Sequence, residues 1–511
     1  MPPRARVSRS RLTSTEPDEV AVVPARPAAT RKKAASRSRA LSVDTLEQLG
    51  ARTLAELLMA AAQTDTALAR SLRLALAGTD GAGRLAAEVE KRLRTLARSK
   101  GFIAWDKVRP LARELDGLRE TIVGPLAASD PRIAVTQMRL LLGLGAGVFE
   151  RSDDGGGTLG EVFRQAGAAL GALWSLVEDR DPLTLAAELL ALLDADGYGV
   201  TDHLLAAASP ALGSTGRGEL RRLLQERLAR LPRLRGQDDH AGWRDRFMLC
   251  VRLCELADLE EDVDAFIAAA EAGGRVEAFA ADIAERLLAH SRPEEALAWL
   301  ARAPARHEGE ELRHADLRIA ALDALGRRQE AQALRWAAFG RWLRPDHLRP
   351  YLRSLPDFDD VEAESRAVAL ALGHPDRTLA LCFLVGWPEL RAANLLVRAH
   401  YGELDARDYA RLRPAADVLV EKHPAAATLL HRVLAEDVLQ RASSRQYVYA
   451  ARDVAACVAL APFLPEEPGL EDHAAFIGRL RREHPRKAAF WDLLGDSLGV
   501  PAMPASPRPV H

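Results

Sequence analysis

GELRRLLQERLARL, residues 218–231, decides the fold. Leu220, Leu223, Leu224, Leu228 and Leu231 stand at offsets of three, four, eight and eleven, one stripe of a 3.6-residue helix. The same period recurs with short breaks from about residue 40 almost to the C-terminus. Ala, Leu and Arg dominate the composition and aromatic residues make up only 5% of it, which favours closely packed helices over a β-sandwich. At 511 residues the chain exceeds one compact core, so two or more domains or an extended solenoid are expected. The reading is an all-α fold of stacked helical hairpins, an α-solenoid that is tetratricopeptide-like in its C-terminal half, behind a disordered N-terminal tail.

Punctuation divides the chain. Residues 1–40 carry ten basic groups against Glu16, Asp18 and Glu19, a charge of +7, which leaves −9 on the rest of a chain whose total is −2. Rich in Pro, Arg and Ser and without periodicity, this segment reads as a disordered basic tail. A helical domain follows over 41–235, a helical-repeat domain over 236–500, and a short disordered tail over 501–511. The internal boundary is the polar stretch PRLRGQDDH, residues 232–240. Helix starts are expected at Ser42, at Asp65 or Thr66, at Asp106, and at Asp130-Pro131 and Asp181-Pro182, where an N-cap precedes proline. Capping boxes are expected at Thr53–Glu56, Thr158–Glu161 and Ser291–Glu294. The segment LRIAALDALGRRQEAQALRWAAF, residues 317–339, resembles a tetratricopeptide-type hairpin, with Gly326 at the turn and alanines at 320, 321, 331, 333, 337 and 338 at the crossing.

A wider resemblance covers most of residues 41–500. TLEQLGARTLAELLMAAAQTD (45–65), KGFIAWDKVRPLARELDGL (100–118), SRPEEALAWL (291–300), RPYLRSLPDFDDVEA (349–363) and HAAFIGRLRREHPRKAAFWDLL (473–494) resemble an uncharacterised, bacterial and specifically proteobacterial, all-helical family. That resemblance implies a helical fold and no activity. The C-terminal part is also similar to the helical tail of proteins carrying a SWIM-type zinc finger. The finger's Cys-x-Cys and Cys-x-His pairs are missing, so its metal does not carry over.

Chemistry-bearing patterns are sparse. Cys250 and Cys254 share one helical face, but they sit at apolar positions and have no second thiol pair, which reads as core packing. Cys382 and Cys457 stand alone, and four thiols in so long a chain make no disulfide framework. The glycine run Asp153–Gly157 lacks the Gly-Lys-Ser/Thr ending of a phosphate loop and reads as a surface connector. No histidine pair has zincin spacing, and no Gly-x-Ser-x-Gly elbow occurs. No catalytic, cofactor or metal residue is therefore assigned. The basic helix around 217–235 reads as a solvated face.

Three places are candidate partner contacts. Asp357, Asp359 and Asp360 form the densest acidic cluster, which also suits a helix start near Val361. Tyr198 lies in a glycine-flanked turn. Arg481, Arg482, Arg486 and Lys487 make a basic turn between two C-terminal helices. No apolar run approaches the roughly 20 residues that cross a bilayer, and no hydrophobic segment follows the basic N-terminus. The expectation is a cytoplasmic, non-enzymatic scaffold or adaptor binding an unknown protein partner on a concave helical surface, with no cofactor and no membrane. One alternative is weak, non-specific nucleic-acid association through residues 1–40. Another is an enzyme whose site is assembled from distant helices.

Overall fold

The computed structural model of the chain describes residues 42–232, 240–274, 276–465 and 470–497. The expected tails, 1–40 and 501–511, and nearly all of the 232–240 boundary lie outside these residues. Among the described residues the secondary structure is helical, with no strand and one isolated bridge between Ile103 and Ser152.

Most expected helix starts are made as the capping chemistry requires. Asp65, Asp130 and Asp181 each accept hydrogen bonds from two backbone N–H groups of the next turn, and Pro131 and Pro182 take the first helical position. Ser42 forms a reciprocal box with Thr45. The three expected boxes are not formed. Helices Ala51–Thr64 and Thr158–Trp174 start after Gly50 (φ 80°) and Gly157 (φ 66°), which places Thr53 inside the first and makes Thr158 the opening residue of the second. There the carboxylate of Asp154 accepts from Gly160 N–H at 2.9 Å. Ser291 itself takes φ 58°, and Arg292 stands at the cap of Pro293–Arg302. Asp106 lies in the first turn of Trp105–Thr121, after Ala104. At Gly50, Gly157 and Ser291 reversal at positive φ decides the start, and the Ser/Thr-x-x-Glu spacing does not.

The stretch that decides the fold ends the helix Leu204–Arg230. Leu220, Leu224 and Leu228 are buried, with Leu223 and Leu231 half-buried against the same core. Gly213, at φ 57° and ψ −169°, kinks this helix. It packs against Thr158–Trp174, Pro182–Ala195 and His240–Leu259, so one apolar core continues from Ala77 to Leu300 across the expected internal boundary. Each fully buried Leu, Phe or Met in it contributes about 1.5–3 kcal/mol relative to exposure. The cationic side of the helix is stitched down: Arg217 and Arg221 meet Glu260, Arg222 meets Glu219 and Glu226, and Arg227 meets Asp194.

Two further cores follow, one of residues between Phe339 and Leu460 and one between Ala435 and Leu494. Between them and the first core stands the pair Glu308–Ala324 and Arg328–Trp342, joined through Gly326 at φ 69°. Ala315, Ile319 and Ala338 form a small buried apolar cluster there, flanked by Leu334 and Trp342, and Leu322 and Phe339 of the same helices are also buried. Of the six alanines expected at this crossing, Ala321, Ala331 and Ala338 are buried while Ala320, Ala333 and Ala337 are exposed. An open groove lies on this hairpin.

One helical stretch, Pro131–Phe149, is long and apolar enough by composition to cross a membrane, which the sequence reading did not expect. It is divided between helices Pro131–Leu142 and Gly145–Phe149, and Met138, Leu141 and Val148 are buried in the protein core.

Candidate functional site

The groove is built from three consecutive helices. Asp316, Ile319, Ala320 and Asp323 come from Glu308–Ala324, at spacings that share one helical face. Arg335 comes from Arg328–Trp342, and Asp346, His347 and Pro350 from Pro345–Arg353, with Arg344 at its cap. The chain turns between the last two helices at Leu343, which is buried and held at φ 47°. A leucine in the left-handed region costs energy, and burial of its side chain offsets that cost. The resulting cavity measures about 390 Å³.

Its lining is polar and internally paired. His347 Nε2 is hydrogen-bonded to Asp316 Oδ1 at 2.7 Å, Arg344 Nη2 donates to Asp346 Oδ2 at 3.2 Å, and Arg335 pairs with Asp323. His347 is itself buried, and its Nδ1 has no partner. One ring nitrogen is thus committed to Asp316 and the other is enclosed, so neither is presented to a reacting group in the groove. A general base needs a free nitrogen within hydrogen-bond reach of the proton it takes.

His314, one turn from Asp316's neighbours on the same helix, is buried with Nε2 unpartnered. Burial holds its imidazole below the ordinary histidine value, against the opposing pull of Glu310. The unfolded chain therefore binds a proton here, near pH 6.5, before the folded chain does. Stability is present above that pH and is lost as pH falls through it. The urea midpoint is expected to fall between pH 7.5 and 5.5, and His314→Phe to flatten the fall. An identical pH profile in the variant would show that His314 is not the group responsible.

A family model described as a family of unknown function, DUF6880, matches residues 36–493. The chain belongs to the DUF6880 family. No curated protein and no solved structure matches it. The DUF6880 match takes in the groove and every contact residue expected from the sequence.

In this DUF6880 chain those residues stay in three separate places. No hydrogen bond, ion pair or ring contact joins the three among the described residues. Asp357, Asp359 and Asp360 are exposed at the start of Asp359–Gly373. The cap there is Phe358, held at φ 76° and 84% exposed, so Asp359 and Asp360 lie in the first turn and neither caps the helix. Tyr198 is exposed but lies back on Phe149, with ring centroids 4.9 Å apart. Its turn is held by Asp196, which accepts from Tyr198 N–H at 3.0 Å, Thr201 N–H at 2.7 Å and Thr201 Oγ1 at 2.6 Å. Burial would raise the Asp196 carboxyl, and these hydrogen bonds overcome it and hold the group below the usual carboxylate range. In the basic turn, Arg481 lies over Trp491 at 5.4 Å and Lys487 over Tyr447 at 5.6 Å, so both help pack the last helix. Arg482 and Arg486 remain exposed.

Cys250 and Cys254 are buried, as their apolar spacing implies, and burial pushes their thiols up to about 11 and about 12. Such thiols stay protonated at neutral pH and are poor nucleophiles and metal ligands.

Sequence reasoning missed one further feature, a buried ionic network. Asp453, only 1% exposed, accepts from Arg413 Nε at 3.2 Å and Nη2 at 2.6 Å, and pairs with His431 Nδ1 at 3.1 Å. One residue along, Arg432 Nη1 donates to the Glu471 carbonyl at 2.7 Å, while its Nε and Nη2 have no partner and its guanidinium covers Phe476 at 4.5 Å. These groups tie Tyr409–Leu419, Pro424–Gln440, Tyr447–Leu460 and His473–Glu483 together.

Proposed function

We propose that this chain is a non-enzymatic helical adaptor of the bacterial cytoplasm that holds a segment of a protein partner in the groove between Asp316 and His347. The observation that carries the reading is the groove itself: a concave cavity of about 390 Å³ with three carboxylates, two guanidinium groups and an imidazole along it. An extended polypeptide offers backbone donors and acceptors on both sides, and a lining with both signs of charge can satisfy them. One His347 nitrogen is held by Asp316 and the other is enclosed, which favours binding over acid–base chemistry.

The test places a photo-crosslinking residue at Ala320, on the groove floor, and a control at Ala333, which is exposed but outside the groove. In bacterial cells, a defined crosslinked polypeptide is expected from position 320 and not from 333. Asp346→Arg combined with Arg344→Glu should reduce it at least tenfold. Equal crosslinking from both positions, or a band indifferent to the charge reversals, would overturn the reading.

A further inference from the structure

Residues 91–113 carry eight basic residues and a single acid, Asp106, inside a body whose overall charge is negative. Four of the eight are used locally: Lys91, Arg92 and Arg94 meet Glu88, Glu114 and Glu90, and Lys107 meets Asp106. The other four, Arg98, Lys100, Arg109 and Arg113, are exposed and have no carboxylate partner among the described residues. Among them stand two of the most exposed aromatic residues of the chain, Phe102 at 73% and Trp105 at 80%.

These rings are not on a loose loop. Ile103, between them, is buried, and its N–H donates to the Arg151 carbonyl at 2.7 Å, forming the isolated bridge to the 151–152 segment. The Arg151 side chain clamps the same loop, donating from Nη1 to the Gly101 carbonyl at 3.1 Å and to Ser99 Oγ at 3.4 Å. The fold therefore fixes the loop and leaves its two rings facing solvent. Trp105 opens the helix Trp105–Thr121, and Arg109 and Arg113 follow at intervals of four. Ring and guanidinium groups thus share one face, about 6 Å apart along the axis.

We propose that Phe102, Trp105, Arg109 and Arg113, flanked by Arg98 and Lys100, form a docking track for single-stranded nucleic acid. Bases stack on the two rings, and phosphates lie against the four unpaired cations. A lipid surface fits the geometry less well, because sinking the Trp105 stripe into acyl chains would also bury Arg109 and Arg113. The inference is independent of the groove, which lies on other helices.

Anisotropy of fluorescein-labelled dT20 with the full-length chain in 50 mM salt tests it. Phe102→Ala with Trp105→Ala should weaken binding at least tenfold, and Trp105→Phe should retain most of it. Residues 1–40 contain no aromatic residue, so a loss caused by the ring substitutions cannot come from the basic tail. Arg109→Glu with Arg113→Glu should lower the slope of log affinity against log salt by about 1.4, at ~0.7 per lost phosphate contact. All substituted side chains are exposed, and an unchanged circular-dichroism melt confirms that each variant folds. No binding of dT20 by the parent chain, or equal binding by the double alanine variant, would overturn the proposal. So would stronger binding to phosphatidylserine vesicles than to dT20, lost in the same variants, which would assign the track to a membrane surface.

Discussion

Asp453→Ala is expected to destabilise the C-terminal helices by about 3–5 kcal/mol, the scale seen when one partner of a buried ion pair is removed. The carboxylate is 1% exposed and serves Arg413 through two hydrogen bonds and His431 through a third. Deleting it leaves the Arg413 guanidinium partly buried without its counterion. Next to it, Arg432 already lacks partners for two of its nitrogens and cannot absorb the loss. Hydrogen exchange in Tyr409–Leu419, Pro424–Gln440 and Tyr447–Leu460 should accelerate together, while Thr158–Trp174 keeps its protection. Replacing Arg413 and Asp453 together by leucine should recover most of the stability, because an apolar pair of similar volume carries no desolvation penalty. A single Asp453→Ala variant within 1 kcal/mol of the parent in urea unfolding would show that the network does not hold these helices.

The network's residues also show what a sequence can and cannot reveal. The fold class was legible because burial of a helical stripe is a local pattern: Leu220, Leu224 and Leu228 needed no knowledge of their neighbours to be assigned inward. Asp65, Asp130 and Asp181 were legible as caps because the accepting carboxylate and the donating N–H groups lie within three residues of each other. Thr53, Thr158 and Ser291 were misread for a related reason. Their spacing to glutamate fits a capping box, yet the chain reverses through a positive φ at Gly50, Gly157 and Ser291, which the spacing does not encode. Phe358 is the sharper case, since its bulky side chain gives no hint of the left-handed conformation that moves Asp359 out of the cap position. In the groove, Asp316, Arg335 and Arg344 each read as ordinary solvated charge on a helix. Only the packing of three helices brings them to one cavity. The aromatic track was hidden in the same way, because Phe102 and Ile103 are equally apolar as letters and only the bridge to residue 152 decides which of them is buried.

Gly171→Ala should produce the other large effect, a loss of at least about 3 kcal/mol, at the upper end of what overpacking a core costs. Helix Thr158–Trp174 presses on Leu204–Arg230 at this point so closely that a Cβ on residue 171 would sit 2.5 Å from Ala207 Cβ and 2.7 Å from both Ala207 C and Ala208 N. Two of those three contacts are with backbone, so no rotamer change relieves them and the helices must separate. Separation would open gaps around Leu170, Leu204 and Ala208, all buried in the first core. Ala207→Gly in the same chain removes only the side-chain clash, so it should rescue Gly171→Ala in part and leave most of the deficit. The double-mutant cycle in urea thus measures how the contact divides between side chain and backbone. Full rescue by Ala207→Gly would mean that the helix axes already have room to move. A neutral Gly171→Ala would mean that the two helices do not meet as closely as the geometry places them.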